Sequence, residues 1–146
     1  MSTSDNKRRE QRDAAIAFIE AINAHDVTQI VERLAADYEF VNSSGDHFQG
    51  ERFMRDEWTA QFAKHPDFRI RVGRVVADED AVAVFGYSEG TYAPDGVMRP
   101  ENRWSVPAAF LLMSRDGKIS YFESFSDASM VYDLIQASQQ ATAAEG

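Results

Sequence analysis

Cysteine is absent from this chain of 146 residues, and histidine occurs only three times. The first absence excludes disulfide bonds, thiolate metal ligands and a cysteine nucleophile. His25, His47 and His65 lack the short spacing of metal-binding motifs, so no metal site is expected. Glycine-rich phosphate-binding motifs and the nucleophile elbow of serine hydrolases are also missing from the sequence. The sequence therefore predicts a protein that works without a metal or another cofactor.

Long apolar runs and an excess of basic residues are lacking as well. No segment approaches the length of a transmembrane helix, and the polar N-terminus has no signal-peptide pattern. Twenty-four acidic residues against fifteen basic ones give a net charge of −9, which disfavours nucleic acid and anionic membranes as partners. We therefore expect a cytoplasmic protein.

The apolar content is sufficient for one core. Apolar residues make up 44% of the chain and aromatic residues 12%, which is typical of a globular domain. Helical spacing of apolar residues predicts helices over 11–24, 27–34 and 50–64, the last ending before Pro66, which cannot continue a helix. Alternating segments between turn signals predict strands over 38–42, 68–76, 81–92, 103–114 and 118–126. A final helix is expected after Asp127.

The predicted elements belong to one α+β domain over 11–136. We expect residues 1–10 and the tail 137–146 to be flexible, because neither contributes to a periodic apolar face. The helices precede most of the strands, so they are expected to cover one face of a bent sheet.

The order of elements and the local sequence resemble the nuclear-transport-factor-2-like superfamily. Residues 18–26 and 30–37 resemble the opening of ketosteroid isomerase, while 82–92 and 116–119 resemble SnoaL-like polyketide cyclases. The resemblance implies a cone-shaped fold with an internal apolar pocket, often dimeric. In that fold a curved, mixed and mostly antiparallel sheet wraps over three N-terminal helices.

The catalytic residues of these families are not found at the matching positions. Asn42 occupies the position of the carboxylate base of ketosteroid isomerase, and Phe18 that of its oxyanion-hole tyrosine. The oxyanion aspartate falls at Phe110 or Ala109. The aspartate that the cyclases carry on the last strand falls at Ser124. The resemblance thus implies a pocket without the usual carboxylates.

Strand alternation selects further pocket residues. If Phe110 and Ser124 face the pocket, Phe122 does too, and Trp104 joins them unless Pro107 introduces a bulge. The candidate ligand-binding residues are Phe18, Trp58, Phe62, Trp104, Phe110 and Phe122.

Asn42, Ser124 and Asp127 are the candidate catalytic residues. Asn42 either donates a hydrogen bond into the pocket or belongs to a strand-end turn. Asp127 either exchanges a proton with a ligand or caps the last helix. Glu89 lies in an apolar strand and is expected at an exposed edge, because unpaired acids are seldom buried.

Three functions remain open. The first is a small-molecule enzyme of SnoaL-like type, acting in secondary metabolism on an apolar, cyclic metabolite by isomerisation, dehydration or cyclisation. The second is a non-catalytic ligand-binding or accessory protein with the same pocket, and the third is a protein-interaction domain.

Tyr121, Glu123 and Phe125 share the outer parity of the last strand and predict a homodimer through that face.

Overall fold

The computed structural model describes residues 2–145, and Met1 and Gly146, at the ends of the two segments expected to be flexible, lie outside them. The elements in chain order are α1 (Thr3–Asn23), α2 (Val27–Glu32), β1 (Leu34–Val41), β2 (His47–Phe48), α3 (Glu51–Lys64), β3 (Arg69–Ala77), β4 (Val82–Thr91), a 3₁₀ turn (Pro100–Asn102), β5 (Arg103–Arg115), β6 (Lys118–Ser126) and α4 (Ser129–Glu145). No described helix is long and apolar enough to cross a membrane.

The strands form one mixed sheet in the order β2-β1-β6-β5-β4-β3. β1 runs parallel to β6, and every other neighbouring pair in this sheet is antiparallel. Register shifts at 34–39, 72–74 and 113–114 bend the strands. The predicted α+β cone with a mostly antiparallel sheet is confirmed.

Gly86 allows β3 and β4 to approach closely beside the irregularity in β3. A Cβ atom at Gly86 would lie 1.9 Å from the backbone oxygen of Arg71, a distance that no side chain can adopt. Glycine is therefore required here by the neighbouring backbone.

The helices cover the inner face of the sheet. α1 packs against β3, β5 and β6. The buried positions of β5 alternate with exposed or half-buried ones and are Trp104, Val106, Ala108, Phe110 and Leu112. Because alternate residues of a strand point to opposite faces, this pattern fixes which side chains can reach a pocket beneath the helices.

Pro107 does not introduce a bulge. The register between β4 and β5 is continuous through the pair Tyr87–Pro107, and β5 pairs with β6 only from Ala108 onward. Pro107 therefore lies where β5 has lost one neighbour, as proline in a sheet should. Trp104 consequently keeps the inward parity of Phe110.

Glu89 is buried, so the expectation of an exposed edge position is wrong. Arg69 Nε lies 2.7 Å from one carboxylate oxygen, Arg71 Nε lies 3.6 Å from the other, and Ser105 donates to the latter at 3.3 Å. Burial alone would raise the pKa of Glu89, but the bonds and charges of the two arginines lower it overall.

Both terminal helices are longer than the sequence pattern predicts. α1 begins at Thr3, where the Ser2 side chain accepts a hydrogen bond from the Asp5 amide at 3.1 Å. α4 continues to Glu145 through an alanine-rich segment, and alanine has the highest helix propensity. The expected flexibility of these ends stays a prediction.

Candidate functional site

A cavity of about 290 Å³ lies between the inner face of the sheet, α3 and α4. Its lining residues are Phe40, Met54, Glu57, Trp58, Gln61, His65, Phe68, Ile70, Ser88, Trp104, Val106, Phe110, Phe122, Ser124, Ser126, Ala128, Val131, Tyr132 and Ile135. This volume is at the lower end of the range for sites that hold drug-sized ligands.

Five of the residues expected from the sequence line this cavity: Trp58, Trp104, Phe110, Phe122 and Ser124. The two other expected aromatic residues, Phe18 and Phe62, lie behind the lining. Phe18 is fully buried and packs edge-on against Phe122, with ring centroids 5.4 Å apart. Phe62 packs behind Trp58 at 5.4 Å. Both support the pocket residues from the second layer.

Three rings of the inner sheet form an aromatic floor, Phe40, Phe122 and Phe110. Phe122 lies 5.6 Å from each of the other two, at interplanar angles of 14° and 21°. The three ring planes are therefore nearly parallel, and the rings stack on one another in a row.

Three more rings form an aromatic wall, Trp58, Phe68 and Trp104. Their centroids are 6.0 and 6.1 Å apart, and successive rings are tilted by 54° and 43°. The wall rings therefore meet at an angle and do not stack in parallel.

His65, at the end of α3, is buried and lines the cavity. The indole Nε1–H of Trp104 donates to its Nδ1 at 3.1 Å. Tryptophan can only donate, so the neutral ring carries its proton on Nε2 and has no free lone pair for a ligand proton. Burial lowers the pKa of His65, and the nearby Asp67 carboxylate offsets this only in part. The ring is therefore held neutral.

Ser43, Ser124 and Ser126 form a serine cluster at the cavity. Ser43 Oγ lies 3.1 Å from the Oγ atoms of both other serines. The three hydroxyl groups have three protons, and each of the two hydrogen bonds uses one of them. At least one O–H is therefore available to another acceptor. Ser124 and Ser126 line the cavity, which places this donor within reach of a ligand oxygen.

Asn42 and Asp127 are not among the described residues that line the cavity. Asn42 Oδ1 accepts hydrogen bonds from the backbone amides of Ser44 and Asp46, each at 3.0 Å. Of the two roles considered for Asn42, these bonds support the strand-end turn. Asp127 Oδ1 accepts from the amide of Ser129, the first residue of α4, at 3.0 Å. Hydrogen bonding from the side chain and the backbone amide of Ser129 lowers the pKa of Asp127.

Sequence reasoning missed Glu57 and Gln61 of α3 and His65, the residue that follows it, all of which line the cavity. They are spaced at i, i+4 and i+8, beside the apolar stripe of Trp58 and Phe62. This polar stripe was the available signal, because residues four apart share one helix face. Within residues 2–145, no group of three or more acidic residues and histidines is arranged to hold a metal ion.

Comparison with known proteins identifies the family. The model of the SnoaL-like domain matches residues 15–122. The chain belongs to the SnoaL-like domain family. No curated protein matches its sequence.

Several solved structures share the fold of this SnoaL-like domain. A protein from Jannaschia sp. CCS1, provisionally named a SnoaL-like polyketide cyclase, has a TM-score of 0.76 at 18% identity, covering 94% of this chain and 96% of its own. A protein from Xanthomonas campestris pv. campestris, provisionally named a polyketide cyclase, has a TM-score of 0.74 at 18% identity, with 85% and 95% covered. A nuclear-transport-factor-2-like protein of unknown function from Cytophaga hutchinsonii has a TM-score of 0.63 at 16% identity, with 84% and 94% covered. At these identities the likeness shows the fold.

Proposed function

We propose that the protein is a small-molecule enzyme that acts on an apolar, cyclic metabolite by isomerisation, dehydration or cyclisation, without a cofactor. The observation that carries this proposal is a cavity lined by aromatic rings to which a carboxylate and a hydroxyl donor are both exposed. The names of the polyketide-cyclase-like neighbours agree with it. We place this activity in the cytoplasm and in secondary metabolism.

Glu57 is the proton-transfer group in this proposal. It is the one carboxylate among the described residues that line the cavity. Isomerisation, dehydration and cyclisation can each begin with removal of a proton next to a carbonyl, and a carboxylate near that proton can accept it. The serine cluster supplies a hydrogen bond to the carbonyl oxygen, where negative charge develops.

Proton exchange of a model ketone tests this role. The bicyclic ketone 2-tetralone is uncharged and exchanges its α-protons in D₂O, which NMR follows directly. Wild-type protein should accelerate the exchange, and Glu57→Gln should slow it by about 10²-fold or more. Asp56→Asn is the matched control, because Asp56 is the adjacent exposed carboxylate and pairs with Arg52. Equal rates for wild type and Glu57→Gln would reject Glu57 as the base.

A non-catalytic ligand-binding or accessory protein is the second candidate. One observation in its favour is Ser124, which has a hydroxyl where the resemblance to the cyclases implies an aspartate. Another is that Nδ1 of His65 already accepts the hydrogen bond from Trp104 and cannot also accept a proton from a ligand. This function predicts that 2-tetralone binds, with a measurable dissociation constant, while its exchange rate stays at the buffer value.

A further inference from the structure

We infer that the aromatic wall, held in place by His65 and His25, is a site for a flat, uncharged ring and that the cavity excludes anionic ligands. This inference rests on the proposed function only in using the same cavity, since it concerns binding and requires no turnover.

The aromatic lining of the cavity favours a flat ring. Neighbouring floor rings have planes 14° and 21° apart, and the tilted rings of the wall line the same cavity. A planar ring in the cavity can stack on one lining ring and meet another edge-on, the geometries that aromatic pairs prefer.

His65 orients one end of the wall. Its Nδ1 accepts the only N–H of the Trp104 side chain, and the two rings meet at 90° with centroids 5.4 Å apart. Both residues are buried, so losing the acceptor would leave the indole N–H without a partner in an apolar setting. His65 is therefore a positioning residue that acts through Trp104.

His25 supports the other end. Its ring stacks on Phe62 with centroids 4.1 Å apart and planes 9° apart, and Phe62 in turn packs on Trp58. His25 Nε2 lies 2.6 Å from the backbone oxygen of Phe68. His25 thus positions Phe68 directly, through its backbone oxygen, and Trp58 indirectly, through the ring of Phe62.

The charges around the cavity disfavour anions. No lysine or arginine is found among the described lining residues, whereas the acidic side chain of Glu57 is. The whole chain has a net charge of −9. A carboxylate or phosphate on a ligand would lose its hydration without gaining a cationic partner, which is costly in an apolar site.

A matched pair of ligands tests the charge preference. 2-Naphthamide and 2-naphthoate share ring and shape and differ in charge, and ligand-observed NMR titration gives both dissociation constants. We expect the dissociation constant of the amide to be lower than that of the carboxylate by about tenfold or more. Glu57→Gln should reduce the difference between the two dissociation constants. Equal or tighter binding of the carboxylate, or no binding of the amide at low-millimolar concentration, would overturn the inference.

Substitutions of His65 test its positioning role in a Trp58→Phe background, where Trp104 is the single tryptophan. His65→Leu should weaken binding of 2-naphthamide severalfold and shift the Trp104 emission, while His65→Gln, whose side-chain oxygen can accept the indole hydrogen bond, should restore both. His47→Gln is the control for an exposed histidine outside the cavity. A folded His65→Leu variant with unchanged emission and affinity would reject the role. This experiment measures binding and emission and requires no ketone exchange. Its outcome therefore does not depend on whether the protein is an enzyme.

Discussion

The two faces of one sheet treat their aromatic residues in opposite ways. On the inner face Phe110, Phe122 and Trp104 are buried and pack on other rings. Trp104 also donates a side-chain hydrogen bond to His65. On the outer face Phe85 is 47% exposed and Phe125 is 48% exposed. The register places these two residues on either side of Ala109, so they belong to one apolar strip.

The difference shows what each face is built to contact. Rings that are fixed by their own chain form a preorganised surface for a small ligand. Rings left open on a strand surface indicate a partner with its own sheet or helix, because exposed apolar patches mark interaction sites. We therefore propose that the outer face forms the homodimer that the sequence predicts.

Truncating one phenylalanine on each face should give the largest contrast. Phe122→Ala removes a ring that packs on Phe18, Phe40 and Phe110, and should cost about 3–5 kcal/mol of unfolding free energy. Phe125→Ala, three residues along the same strand, should cost less than about 0.5 kcal/mol when measured on the monomer. Urea denaturation at submicromolar concentration compares them. Equal losses would remove the distinction between the faces.

A charge on the outer face should divide the dimer. Phe125→Lys places an ammonium group in the centre of the proposed contact, so the mass from light scattering at tens of micromolar should fall from two chains to one. Val97→Lys is the control, because Val97 is similarly exposed but lies in the loop after β4. A wild-type protein that is already monomeric would reject this interface.

The pH dependence of stability should report on His65, which bonds to Trp104 of the inner face. Its folded pKa is lowered by burial, so the unfolded state, with a pKa of about 6.5, binds the proton more readily. By linkage, the stability from this group is complete above about pH 6.5 and declines as the pH falls below it. Denaturation from pH 7.5 to 5 should show that decline in wild type and His47→Gln, and a weaker one in His65→Gln. An unchanged decline in His65→Gln would assign it to another group.

The smallest effect is expected at Asp127, which belongs to neither face. Its carboxylate bonds to the Ser129 amide, a role that asparagine can fill. The thermal midpoint should be slightly lower for Asp127→Ala and unchanged for Asp127→Asn. Loss of ketone exchange in both variants without any change in midpoint would instead make Asp127 a catalytic acid.

Most of the fold could be predicted from local sequence. The strand over Lys118–Ser126 and the end of α3 before Pro66 agree with the structure because turn residues and proline act through their own backbone. That Ser124 and Phe122 share one face also follows from alternation, while the family resemblance indicated that this face is the inner one.

The parts of the site that could not be predicted depend on contacts between distant segments. His65 gains its role from Trp104. Outside the site, Glu89 is buried on β4, where it pairs with Arg69 on the neighbouring strand β3. Whether Pro107 made a bulge or an edge depended on where β6 ends. Local patterns contain no information about these partners.

The parallel pairing of β1 with β6 has a consequence for the time course of synthesis. Leu34 pairs with Ile119, so β1 leaves the ribosome long before its central partner exists. At about 5–20 residues per second, the intervening segment takes roughly 4 to 17 s to make. During that interval the short strand β2 is the strand partner available to Phe40. The antiparallel strands β3–β6 can pair as soon as each hairpin emerges, so the nascent domain closes onto its first strand last.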